Sequence, residues 1–282
     1  MRQTLLQRLV VAHGLPDAST FQLVTIASFY DALAPWYHAI YSDWDASMAR
    51  QGETLNELVA ENWGLGPKII VDASAGIGTQ AIPLAGCGHH VVAGDLSSRA
   101  ITRAVTEAGG RKQQLPAYRG DMRALPIRTG AVDVVTACDN SLPHLLEEAA
   151  IEMALREFVR CVRTGGGCLV SVRDYPEQPP ASGTREVRSY GERQLDGRKC
   201  ELRQVWQWDG PCYDLTLEIL AQEQEQLVWT ERTRYLAIPA DRVAALMKQV
   251  GFSRVRRIDG AFYQPVIVGS RLDNADSRQA RA

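Results

Sequence analysis

The sequence predicts an α/β fold: an open, mostly parallel seven-stranded Rossmann-like sheet with helices on both faces, an inserted three-stranded antiparallel sheet and an N-terminal helical lid. Three observations predict it. The run Ile69-Ile70-Val71-Asp72-Ala73-Ser74-Ala75-Gly76-Ile77-Gly78 reads as a buried strand that turns sharply into a helix. Short aliphatic strands then alternate with amphipathic helices as far as Val172. After Pro179-Pro180 the period changes, and Tyr213, Leu215, Leu217, Ile219 and Ala221 alternate with Asp214, Thr216 and Glu218.

The elements follow in order. Residues 1 to about 20 are weakly patterned and read as a helix. Aromatics then crowd the chain at Phe21, Phe29, Tyr30, Trp36, Tyr37, Tyr41 and Trp44, around a helix-interrupting Pro35. A helix pair here could fold over the open end of the sheet. Tyr37 and Tyr41 lie four apart, so a helix would put both hydroxyls on one face, to line a cationic ligand or simply to pack. Residues 47–63 form an amphipathic helix through Met48, Leu55, Leu58 and Val59, with Arg50 near its start. The second strand, His90 to Gly94, ends in Asp95, and Ser97 can cap a helix striped by Ile101, Ala104, Val105 and Ala108.

A third strand ends at Gly120-Asp121-Met122, and a fourth, Ala131 to Cys138, runs into Asp139-Asn140-Ser141-Leu142-Pro143-His144. The next helix presents Ile151, Leu155, Phe158, Val159 and Val162, and Gly165-Gly166-Gly167 reads as its stop. The fifth strand, Cys168 to Val172, ends in Arg173-Asp174-Tyr175. Residues 198–238 read as three antiparallel strands with a turn at Asp209-Gly210. A helix over Asp241–Val250 and strands over Phe252–Ile258 and Phe262–Val268 complete the body. The domain division is a lid at 1–64, a core at 65–178 and 239–270, an antiparallel insertion at 179–238, and a tail at 271–282 that is expected to be disordered from Asn274.

Composition excludes some classes of function. With 282 residues, 45% hydrophobic and 23% charged, the chain can bury a full core. A net charge of −2, with the 31 Lys and Arg dispersed, offers no field for nucleic acid or an anionic membrane. No apolar stretch reaches the roughly 20 residues of a membrane span, and the first residues lack a signal core, so the cytoplasm is the expected location. The six cysteines show no paired spacing and are expected to be reduced thiols; His89-His90 beside Cys87 reads as loop surface, and no metal is expected.

In an open parallel sheet, ligands bind beyond the carboxyl ends of the strands. Asp72, Asp95, Asp121, Asp139-Asn140 and Arg173 fall at five successive strand ends. Any one acid there can be a helix cap. Five together point to a ligand. Gly76 and Gly78 would let it lie against the backbone, at a helix N-terminus that attracts an anionic group. Gly76-x-Gly78-x-x-Ala81 with Asp95 also fits a dinucleotide fingerprint, so NAD is a competitor. Asp72 would repel a diphosphate and attract an ammonium, which favours S-adenosylmethionine. Asp95 could then take both ribose hydroxyls, Asp121 the adenine amine with the Met122 N–H beside it, and Asp72 would lie near the amino-acid end. Cys138 and Asn140 would lie near the methyl group, with Arg173 facing a second carboxylate.

These residues carry a resemblance. Asp72-Ala73-Ser74-Ala75-Gly76-Ile77-Gly78, with Asn140-Ser141-Leu142-Pro143-His144-Leu145 and Arg173-Asp174-Tyr175, is similar to class I S-adenosylmethionine-dependent methyltransferases of the glycine N-methyltransferase and glycine/sarcosine N-methyltransferase group. It extends from about Tyr30 to Gly269. The resemblance implies a methyltransferase acting on the amine of a small amino acid such as glycine or sarcosine, possible assembly into an oligomer, and a substrate carrying a carboxylate. It implies that Asp95, Asp121 and Met122 bind the cofactor, that Asn140 and Arg173 hold the substrate, and that Tyr30, Tyr41 and Arg50 close the site. The full expected cofactor set is Tyr30, Arg50, Asp72, Ser74, Gly76, Gly78, Asp95, Leu96, Asp121, Met122, Cys138 and His144; the catalytic set is Asn140, Arg173 and Tyr41. Alternatives are a methyltransferase of a larger amine or hydroxyl metabolite, an NAD-dependent dehydrogenase, and a non-catalytic cofactor-binding protein.

Overall fold

The computed structural model describes residues 20–222 and 226–272. The expected first helix and the tail from Asn274 lie outside the described residues. The chain opens with helix α1 (Thr20–Leu33), a 3-10 turn (Tyr37–Ile40) and helix α2 (Trp44–Trp63). Strand β1 (Ile69–Asp72), α3 (Ala81–Gly86), β2 (His90–Asp95), α4 (Ser98–Gly110), β3 (Ala117–Arg119) and β4 (Val132–Ala137) follow. A 3-10 turn (Leu142–Leu145), α5 (Glu148–Cys161) and β5 (Val162–Ser171) lead into β6 (Arg185–Leu195), β7 (Arg198–Asp209), β8 (Cys212–Ala221) and β9 (Gln226–Leu236). Helix α6 (Ala240–Val250), β10 (Ser253–Ile258) and β11 (Val266–Ser270) close the chain.

Seven strands form one sheet in the order β10-β11-β5-β4-β1-β2-β3. Strands β1 to β5 run parallel, and β11 is antiparallel to β5 and to β10. The order reverses between β1 and β4, and a crevice at that switch is where such sheets bind ligands. The aliphatic runs form buried strands because helices cover both faces: Ile70 packs with α2 and α3, Val71 with α5 and α6. Asp43 begins α2 by accepting the Ala46 N–H at 2.9 Å, and Ser97 begins α4 by accepting that of Ala100 at 2.9 Å.

Strands β6 to β9 form a separate antiparallel sheet of four strands, one more than the sequence predicts. The extra strand is β6, an edge strand whose residues are mostly exposed or half-buried, so Arg-Glu-Val-Arg-Ser shows no apolar alternation. The three glycines 165–167 do not end a helix; they lie within β5, which starts directly after Cys161. Close packing explains them: a Cβ on Gly166 would fall 2.2 Å from the Asp133 carbonyl oxygen, and one on Gly167 2.3 Å from that of Gly269. The last strand starts at Val266 rather than Phe262, which leaves Phe262, Tyr263 and Gln264 in a loop at the crevice.

Helix α1 bridges the two sheets. Phe29 and Leu33 pack on Leu217 of the antiparallel sheet, while Ala34 packs on Ile77 and Ala100 of the parallel core. Asp31 fixes the helix over β2 by accepting from Ser97 Oγ at 2.5 Å and from the Arg99 N–H at 2.9 Å. The carboxyl ends of the strands therefore open beneath a roof of α1 and the antiparallel sheet. Among the described residues, no helix is long and apolar enough to cross a membrane.

Candidate active site

The turn after β1 is the floor. Gly76 and Gly78 both have positive φ, 53° and 93°. Asp95 clamps the turn to β2: Oδ2 accepts the Gly76 N–H at 2.8 Å and Oδ1 accepts that of Ser97 at 2.8 Å. Each carboxylate oxygen keeps a lone pair for another donor. Burial raises Asp95 to about 6 and Asp72 to about 7. Asp72 Oδ1 accepts the Ser74 N–H at 3.4 Å, and the buried Oδ2 has no hydrogen-bond partner. The two glycines differ in what faces them. The Cα of Gly76 faces the Tyr37 ring, whereas a Cβ on Gly78 would strike Ile82 Cδ1 at 2.6 Å and meet Ala104 at 3.3 Å.

Above this floor lie two cavities. The smaller, about 60 Å³, is lined by Tyr30, Ser74, Gly76, Asp95, Leu96, Asp121, Met122, Cys138 and His144 of the expected cofactor set. The larger, about 530 Å³, is lined by Tyr30, Tyr41, Arg50 and Arg173. Tyr30, Tyr37 and Asp139 belong to both. Asp72, Gly78 and Asn140 line neither. Asp72 sits beneath the turn, Gly78 serves packing, and the Asn140 amide is spent inside the protein. Asp121, expected to meet an adenine amine, forms a buried ion pair with Arg123 at 2.7 Å and accepts the Arg123 N–H at 2.8 Å.

His144 is held between the sheets. Its Nδ1 lies 3.2 Å from the Arg234 carbonyl oxygen, which can only accept, so Nδ1 carries the proton and Nε2 accepts from the Tyr30 hydroxyl at 2.6 Å. Burial pushes its pKa down to about 3, which keeps the ring neutral. Its ring centroid lies 4.0 Å from that of Tyr235.

Arg173 enters the larger cavity from the end of β5. Its Nη1 donates to the Tyr213 hydroxyl at 2.6 Å, and its guanidinium lies over the Trp206 and Tyr235 rings at 4.9 and 5.3 Å. Among the described residues, no carboxylate stands within ion-pair distance of it. Arg50 lies on the rim, exposed, with Nη2 3.4 Å from Ser47 Oγ.

Sequence reasoning placed Asp139 at a strand end without giving it a role. Its carboxylate accepts from Tyr41 at 3.1 Å and from Gln264 Nε2 at 3.4 Å. Tyr37 was left between ligand and packing, and the structure puts it against both cavities. Tyr190 and Gln264 carry no signal in the sequence and Tyr235 has no role assigned there, because the antiparallel sheet and the last loop reach the cavity only through tertiary packing. Among the described residues, no group of three or more His, Cys, Asp and Glu could hold a metal. His89 is buried and accepts the Lys68 N–H at 3.1 Å, whereas His90 is exposed at the start of β2.

Residues 70–166 match the family model described as a methyltransferase domain. No curated protein matches the chain. The fold is shared with CcbJ methyltransferase from Streptomyces caelestis, at a TM-score of 0.70 and 18% identity, covering 87% of this chain and 98% of that one. It is also shared with an S-adenosylmethionine-dependent methyltransferase from Clostridium acetobutylicum (0.67, 14%, 87% and 98%). A third is CalS10, an amino pentose methyltransferase from Micromonospora echinaspora with S-adenosylmethionine bound (0.68, 14%, 92% and 100%). Residues 70–166 thus match a methyltransferase domain, and the fold is one that S-adenosylmethionine-dependent methyltransferases share. The residues fit this cofactor. Asp95 has lone pairs to spare for ribose hydroxyls, the turn has no Cβ at Gly76, and the Asp72 carboxylate lies beneath that turn.

Proposed function

We propose that this protein methylates the amine of a small metabolite that carries an anionic group, an amino acid of the size of glycine, sarcosine or larger. One observation carries this reading: the guanidinium of Arg173 faces the larger cavity with hydroxyls and ring faces around it and no acid paired to it. A half-buried cation in that position is completed by an anion from the ligand. At about 530 Å³ the cavity has room for more than glycine.

S-adenosylmethionine, when bound, supplies a methyl group on a positively charged sulfur. Asp95 and the Gly76 turn would hold it across the smaller cavity, with the Asp72 carboxylate buried beneath the turn. Arg173 would grip the acceptor's anion, and Asn140 acts through position, since its amide ties Arg173 to the core. Displacement at a methyl carbon needs a nitrogen held in line at roughly 3 to 3.5 Å, so rigid placement supplies much of the rate. The phenols of Tyr30, Tyr37 and Tyr41, held protonated by burial, close the space between the cavities and exclude water.

A second reading is an amino sugar. It is favoured by the rings of Tyr30, Tyr37, Tyr190 and Tyr235 that line a cavity of this size, and solved structures of similar fold include CalS10 and the sugar N-methyltransferase KedS8 from Streptoalloteichus (TM-score 0.65, 18% identity). A labelled-methyl assay over glycine, sarcosine, the larger amino acids, their decarboxylated amines and amino sugars tests both. Label in an amino acid but not in its decarboxylated amine supports the first reading, and label only in amino sugars supports the second. Binding of S-adenosylhomocysteine with no label in any amine overturns both.

A further inference from the structure

We propose that Asp139 is the acid–base residue of the site: its carboxylate pairs with the acceptor's ammonium and takes the proton that the nitrogen must lose before it can be methylated. This rests on the reading of the acceptor as an amine.

Position comes first. Asp139 borders both cavities, so it stands where donor and acceptor would meet. Among the described residues that line the larger cavity it is the only carboxylate, and Arg173 and Arg50 line the same cavity. One anion and two cations around one space suit a ligand with an amine and an anionic group, which is a statement about both ends of the acceptor.

The carboxylate is also built into place. Its backbone N–H donates to Ser171 Oγ at 2.8 Å, Ser171 Oγ donates to Gln264 Oε1 at 3.1 Å, and Gln264 Nε2 returns to Asp139 Oδ1 at 3.4 Å. Tyr41 donates to Oδ2 at 3.1 Å. Asp139 and Asn140 hold successive positive φ values of 55° and 62°, a conformation side chains rarely adopt, and such strain collects at functional sites. The Asp139 side chain borders the cavities, while that of Asn140 is buried and hydrogen-bonded within the protein.

The surroundings leave the chemistry to this residue. The titratable groups facing it are Tyr30, Tyr37 and Tyr41 from the N-terminal segment, Tyr263 from the last loop, Tyr190 from β6, Cys138 just after β4 and Arg173 just after β5. Burial raises the five phenols and the thiol, so they stay protonated, and Arg173 stays charged. Burial raises Asp139 as well, which makes its carboxylate a better proton acceptor than a solvated one. In the step proposed, an N–H bond of the ammonium breaks and an O–H bond forms on Asp139. The freed nitrogen pair bonds to the methyl carbon as its C–S bond breaks with the electron pair on sulfur. The methylated ammonium departs, and Asp139 releases its proton through the open cavity.

The test uses the full chain and the amine that takes up labelled methyl from a pool of the amino acids, sarcosine and glucosamine. Asp139→Asn is compared with the parent protein in three measurements. Binding of S-adenosylhomocysteine should be retained, which also shows that the variant folds. Affinity of that amine for the S-adenosylhomocysteine complex, by calorimetry, should fall about ten- to a hundredfold. Methyl transfer should fall about 10²- to 10⁴-fold, and the decline of kcat/KM at low pH should vanish. Tyr41→Phe, which removes one hydrogen bond to the carboxylate, should move that decline to higher pH. An Asp139→Asn protein with unchanged amine affinity and an unchanged pH profile overturns this proposal alone. A parent protein that labels no amine overturns the amine reading beneath it.

Discussion

Asn140 Oδ1 accepts the backbone N–H of Arg173 at 2.9 Å while its Nδ2 donates to the Tyr175 hydroxyl, also at 2.9 Å. One buried amide therefore ties the end of β4 to the end of β5. Tyr175 in turn shares a 2.6 Å hydrogen bond with Tyr213, which takes the Arg173 guanidinium. The side chain that faces the cavity is thus positioned from both its backbone and its tip.

Arg173→Met keeps the aliphatic stem and removes the charge. A hydrogen bond to a charged group contributes about 1.5–3 kcal/mol, so the KM for an anionic acceptor should rise roughly ten- to more than a hundredfold. Calorimetric affinity for S-adenosylhomocysteine should stay within about twofold, because Arg173 borders only the larger cavity.

The raised acids predict a pH dependence. Asp72 and Asp95 have folded pKa values near 7 and 6, above their ordinary range. Their contribution to the stability of the ligand-free protein is fully present below about pH 3.9 and is lost as pH rises through 6 and 7. A ligand that brings an ammonium and ribose hydroxyls favours the ionised forms. The rise in Tm caused by S-adenosylhomocysteine should therefore grow between pH 5.5 and 7.5, and Asp72→Asn should flatten that growth in a thermal-shift series.

Gly78 and Gly76 stand two residues apart and should separate under mutation. Gly78→Ala places a Cβ against Ile82 at φ 93°, and overpacking of this kind costs about 1–3 kcal/mol. Urea denaturation should show that loss while the folded variant binds S-adenosylhomocysteine as before. Loss of binding without loss of stability would place Gly78 against the ligand after all.

The parallel core was legible in the sequence because β1, β2 and β4 are aliphatic runs with a polar residue at or just past their ends, and Asp72, Asp95 and Asp139 mark those ends. Strand β6 was not, since an edge strand with half its residues in solvent leaves no apolar period. The site divided in the same way. Asp95, Gly76 and Arg173 follow directly from strand ends, whereas Gly78 shares the glycine signal for a different reason, the packing of Ile82. Asn140 looks like a ligand-facing amide by type and spacing, yet its amide is satisfied inside the protein. Tyr190 and Tyr235 reach the cavity from β6 and β9, the two edges of the antiparallel sheet, so nothing local marks them. Asp139 was visible as a strand-end acid, and only the structure shows that it borders both cavities.

The account depends on a cofactor seated across the strand ends on Asp95. Titration calorimetry with S-adenosylhomocysteine on the parent protein and on Asp95→Ala measures this directly. The prediction is one site per chain in the parent, and a roughly 10²- to 10⁴-fold weaker one in the variant, as two hydrogen bonds to a carboxylate are lost. Equal affinity in the two proteins, or binding of NAD in place of S-adenosylhomocysteine, would contradict it.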